Sequence, residues 1–259
     1  LFLCLSCMII MIPIVQAEDT RMDLGGTPTI AEQKTEVYQQ YMKGELTEER
    51  YQQFMEKLNL MESIQNGQTP LSIQATRATT ASLNVPHCRQ EKSYYCGPAT
   101  AQSIGKYFGN NMSQTTLAGS NYCNTESSKS TLVGALKNTL NAIQSHNAYA
   151  VVSPGSASTM STMTYNAVSQ YGSPAVYLIH GSSSQLPYGS VSGGIAHYII
   201  GHGVSMDAGV GTIYVTDPYI GYSSYYGHSD GKYSMTQSEL YRLLDEGAYY
   251  NAGTRCMMW

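Results

Sequence analysis

The chain has 259 residues, only 12% of them charged, and a net charge of −4. No basic stripe runs along it that could follow a phosphate backbone, which argues against nucleic acid as a partner. The length allows one or two domains, and the charge is unevenly spread. Glu18 to Glu62 holds ten acidic and five basic side chains, whereas the much longer remainder from Ser63 holds eight and nine.

Leu1 to Val15 is almost wholly apolar, and Val15-Gln16-Ala17 places small residues where a leader is cut. The run is shorter than the ~20 residues of a membrane span. Residues 1–17 therefore read as a secretory signal peptide, with a retained anchor as the alternative. Export implies a secreted or cell-surface location and no stable membrane insertion once the leader is gone.

Residues 18–64 read as a helical hairpin. Glu32 to Lys43 forms one helix closed by Gly44, and Thr47 caps the next, with Glu48 and Glu49 in its first turn. Tyr51, Phe54, Met55, Leu58 and Met61 line one apolar face. A hairpin this small needs a partner. It is expected to be an inhibitory pro-segment docked over the cleft, with a small interaction module as the alternative. Residues 65–81, rich in Thr, Ser, Ala and Gln, read as a linker. Leu24-Gly25-Gly26 is read as an ordinary loop.

The next stretch carries chemistry. In Gln90-Glu91-Lys92-Ser93-Tyr94-Tyr95-Cys96-Gly97-Pro98, a cysteine opens a helix that runs to Gly109. Pro98 fits the first turn. A helix N-terminus favours a thiolate, the form of cysteine that attacks. Gln90 has a carboxamide able to donate to an oxyanion. Further helices are expected over Ser130–Ile143, Met160–Tyr171 and Met235–Glu246, the last capped by Thr236. Strands are expected over Pro174–Ile179, His197–Val204 and Thr212–Thr216. Asp217-Pro218 ends the last strand, because proline stops the ladder. Neighbouring antiparallel strands would set His197 beside Asp217, so that the carboxylate orients the imidazole and the imidazole takes the thiol proton.

These features together resemble the papain-like cysteine peptidases. They are most similar to the bacteriocin-processing (double-glycine leader) peptidases, cysteine peptidase family thirty-nine, and their stand-alone secreted relatives. The resemblance spans 82–259. It implies an α+β fold, with the cysteine helix packed on an antiparallel sheet that carries the histidine and aspartate. It implies Cys96 as nucleophile, His197 as general base and acid, Asp217 as orienting carboxylate and Gln90 in the oxyanion hole. The substrate would be a peptide or protein. No transporter segment accompanies the motifs, so cleavage after double glycine is not implied.

Other features stay open. Cys88, Cys96, Cys123 and Cys256 remain after the leader, and sequence cannot choose a disulfide among them. His180 and His202 read as ordinary histidines. No zinc spacing is present in the mature chain, so neither metal nor cofactor is expected. Tyr222, Tyr225, Tyr226, Tyr249 and Tyr250 suit a substrate groove or an ordinary exported surface. A peptidoglycan amidase or peptidase would use the same residues, and a catalytically silent surface-binding module would keep the fold without turnover.

Overall fold

Thr29 and Thr47 each begin a helix by accepting a backbone N–H with the side-chain oxygen. The helices are α1 (Ile30–Met42) and α2 (Glu48–Gln65). They are followed by β1 (Thr79–Ser82), α3 (Cys96–Tyr107), α4 (Gln114–Leu117), α5 (Val133–Ala142) and β2 (Val151–Val152). The chain continues through α6 (Ala157–Ser169), β3 (Ala175–Gly181), β4 (Ile195–Asp207), β5 (Val210–Thr216), β6 (Lys232–Thr236), α7 (Gln237–Ala248) and β7 (Cys256–Met258). This computed structural model describes residues 23–68, 79–125, 130–182, 184–187, 194–207, 210–221 and 230–259. The expected leader 1–17, most of the linker, and Tyr222, Tyr225 and Tyr226 lie outside the described residues.

The strands form one antiparallel sheet in the order β2-β7-β3-β4-β5-β6, with β1 paired to the far half of β4. Side chains alternate across it, as strand geometry requires. Tyr177, Ile179, Ile199, Ile213 and Val215 face one core with α6 and α7. Val176, Leu178, Tyr198 and Ile200 face a second core with α3 and α5. Helices on both sides of an antiparallel sheet make this an α+β fold.

The hairpin is not a separate layer over the cleft. Ile30, Val37, Phe54, Leu58, Met61 and Ile64 join the core shared with α6 and α7, whereas Cys96 belongs to the other core. Burying a large apolar side chain is worth about 1.5–3 kcal/mol. Six of them contribute on the order of 10 kcal/mol, comparable with the whole net stability of a domain. The hairpin also closes the β2 edge of the sheet. Gln33 acts there as a substitute strand: its Nε2 donates to Val151 O at 2.6 Å, and Val151 N–H donates to its Oε1 at 2.8 Å. Lys57 of α2 is fully buried. Its ammonium nitrogen donates to Asn147 Oδ1 and lies 4.5 Å from the Tyr171 ring centre and 5.2 Å from that of Trp259.

The expected linker is shorter than read from composition. Helix α2 runs to Gln65, and Thr79–Ser82 already pairs with Gly203–Met206 of β4. Threonine-rich composition suits an edge strand as well as a loop, so composition alone did not separate the two.

Candidate active site

Cys96 opens α3, with Tyr95 at the N-cap. Gly97 is required next to it: a Cβ there would lie 2.1 Å from Thr131 Oγ1, so the first turn of α3 packs directly on the segment leading into α5. Strand β4 is paired with β3 from Ile195 to Gly201, but its ladder with β5 begins only at Ile200. Its β5-side edge is therefore free of that ladder around His197 and Tyr198. There the thiol of Cys96 meets the His197 side chain and the backbone N–H of Tyr198. Asp217 follows the last residue of β5, one step past the end of the ladder.

The three side chains are buried together. His197 Nε2 lies 2.7 Å from Asp217 Oδ1. A carboxylate accepts, so Nε2 carries the proton and Nδ1 remains for the thiol. Asp217 Oδ1 also accepts the Tyr219 N–H at 2.9 Å, and Oδ2 accepts the Tyr233 O–H at 2.8 Å.

Burial alone would raise the Cys96 thiol. The hydrogen bond and charge of His197, with the N–H groups of Tyr198 and Gly97, outweigh it and hold the thiol below its ordinary range. Burial alone would lower His197. The charge and hydrogen bond of Asp217, helped by Cys96, push it up to about 10. The two directions together favour a thiolate beside an imidazolium. Such a pair can attack a carbonyl and then give a proton to the leaving group.

Gln90 is buried close by in sequence, but its carboxamide is turned onto its own loop. Its Nε2 donates to the carbonyls of Lys92 and Ser93 at 2.9 and 3.1 Å. Its Oε1 is buried and has no hydrogen-bond partner among the described residues. The backbone brings Gln90 into the site more directly, since its N–H donates to Pro218 O at 2.8 Å.

The Peptidase_C39 like family matches residues 82–246, a span that holds Gln90, Cys96, His197 and Asp217. The chain belongs to this peptidase family. Among solved structures, a Bacillus anthracis protein assigned to the C39-like peptidases is 12% identical. It covers 70% of this chain and 96% of its own, with a TM-score of 0.43. Digestive procathepsin L 3 of the Tenebrio molitor larval midgut is also 12% identical, covers 89% and 88%, and has a TM-score of 0.35. A search of the curated proteins finds no match.

Around the trio, this C39-like chain carries residues that its motifs did not reveal. The Tyr219 ring stands edge-on to the His197 ring at 5.8 Å; its position just after Asp217-Pro218 was the one available signal. His87 Nε2 donates to the carbonyl of Asp217 at 2.9 Å, and its ring fills the space against Gly231, where φ is +71°. His202 and His180 have different partners. His202 Nδ1 lies 3.0 Å from Thr216 Oγ1, and His180 sits beside Tyr250 and Glu246. All four described cysteines are free and buried. Burial pushes Cys123 and Cys256 up to about 12, which leaves Cys96 distinct from both.

Proposed function

We propose that this chain is a secreted cysteine peptidase that hydrolyses peptide bonds of a peptide or protein substrate. The observation that carries the reading is that the buried His197 ring meets Asp217 Oδ1 through Nε2 and also bonds the Cys96 thiol. The Cys96 thiolate adds to the scissile carbonyl. The C–N bond then breaks as the imidazolium gives its proton to the leaving amine, and an acyl-enzyme remains. His197, now neutral, takes a proton from water as that water attacks the thioester, and the acid product leaves with Cys96 restored. Asp217 holds the imidazole in one orientation throughout. Gln90 enters as oxyanion donor by exchanging a bond to Lys92 or Ser93 for one to the substrate oxygen.

Export rests on the apolar run Leu1 to Val15 and the small residue Ala17. The packing of the hairpin supports a fixed part of the domain rather than a removable inhibitor. Digestion of a peptide library by the mature chain, beside Cys96→Ala, tests the activity. Cleavage by the wild type alone is expected. Equal cleavage by both, or none by either, overturns the reading.

A further inference from the structure

Asp217 is fully buried, and a carboxylate has two oxygens to satisfy. Oδ1 is occupied by His197 and by the Tyr219 N–H. Turning the carboxylate about its bond to Cβ would carry Oδ1 off both of these donors. The opposite oxygen braces the carboxylate against that turn, because it accepts the phenolic O–H of Tyr233 at 2.8 Å.

The sheet register brings this residue into place. Tyr233 lies on β6 directly across from Val215 of β5. Asp217 is two residues beyond Val215, on the same face, so Tyr233 and Asp217 are diagonal neighbours. A tyrosine side chain is long enough to span that diagonal. The main chain of Asp217 is fixed independently: its N–H donates to Gly231 O at 2.9 Å, and its carbonyl accepts from His87. Backbone and side chain are thus held by different groups.

We propose that Tyr233 is a positioning residue for the reaction, setting the Asp217 carboxylate so that Oδ1 stays on His197 and the imidazolium stays on Cys96. The inference rests on the peptidase reading for its consequence in turnover, but the thiolate can be read without any substrate.

Tyr233→Phe keeps the ring and removes one hydroxyl. The full chain is alkylated with iodoacetamide across pH 4 to 9, and the rate at Cys96 is read by peptide mass. Losing this Oδ2 contact lets the carboxylate swing off the imidazolium, so the thiolate is less favoured. The acid edge of the Cys96 profile is expected to move up by about one pH unit, with about a tenfold slower rate on that edge. On a cleaved peptide, kcat is expected to fall about tenfold with KM unchanged. Other titratable neighbours, namely His87 at the Asp217 carbonyl and Cys123 and Tyr198 near Cys96, are the same in both proteins. A merely structural tyrosine would lower Tm and leave the profile alone, and that result overturns the proposal. If the wild type cleaves no peptide yet Tyr233→Phe still shifts the profile, the peptidase reading fails and the positioning role stands.

Discussion

The backbone N–H of Gln90 donates to the carbonyl of Pro218 at 2.8 Å. The segment leading to the cysteine is therefore bonded to the residue that follows the aspartate. With the His87 bond to the Asp217 carbonyl, this link joins the two halves of the site through the main chain.

Gln90→Ala keeps that backbone link and removes the carboxamide. Loss of an oxyanion donor is expected to lower kcat about a hundredfold, with a smaller change in KM. Steady-state kinetics on one cleaved peptide check it. An unchanged kcat would confine Gln90 to bracing its turn through Lys92 and Ser93.

Gly97→Ala should displace the first turn of α3, because its Cβ would collide with Thr131. Overpacking of this kind costs about 1–3 kcal/mol, and the thiol moves with the turn. Adding Thr131→Gly removes the colliding atoms and should recover part of the lost turnover. If Gly97→Ala alone is as active and as stable as the wild type, the close packing at Cys96 is wrong.

A chain beginning at Ser82 should fail to fold cooperatively, since it lacks the six core residues of the hairpin and all of strand β1 but Ser82. Gln33→Ala, a milder change, removes both bonds to Val151 and should cost about 1–3 kcal/mol without altering kcat. Thermal unfolding and peptide turnover measured together decide this. A well-folded, more active chain from Ser82 would return the hairpin to the part of a removable inhibitor.

The pH dependence of stability follows from two opposed shifts. His197 is raised from 6.5 to about 10, so its contribution is full below 6.5 and is lost as pH rises through about 10. Cys96 is lowered from its ordinary 9.0, so its contribution is present above 9.0 and is lost as pH falls through the folded value. From the folded Cys96 value up to 9.0 the two offset each other. Cys96→Ala removes one of them, so its Tm should fall progressively below that of the wild type as pH rises across this window. A pH-independent difference would contradict the thiolate–imidazolium pair.

Much of the site was legible because its signals are local. Cys96-Gly97-Pro98 opens a helix, and Asp217-Pro218 ends a strand, by rules that need only neighbouring residues. The apolar run after His197 marked a buried strand in the same way. The partners of these residues were less accessible. Tyr233 reaches Asp217 only through the β5–β6 register, and Gln33 meets Val151 across 118 positions. The apolar face of α2 showed that the hairpin docks, but not on which side of the sheet. An amphipathic helix encodes burial and not its address, so its packing at the β2 edge could not be read from the sequence. The orientation of the Gln90 carboxamide was equally hidden, because it depends on the carbonyls of a turn with no sequence signature.

The most direct measurement is alkylation of the native chain by iodoacetamide at pH 6.5, mapped by peptide mass, with loss of peptide hydrolysis followed in the same sample. A peptidase centred on Cys96 requires Cys96 to react first, Cys123 and Cys256 to stay unmodified, and hydrolysis to fall in step with Cys96 labelling. A Cys96 that reacts only near its ordinary range, or hydrolysis that survives its complete modification, would contradict it.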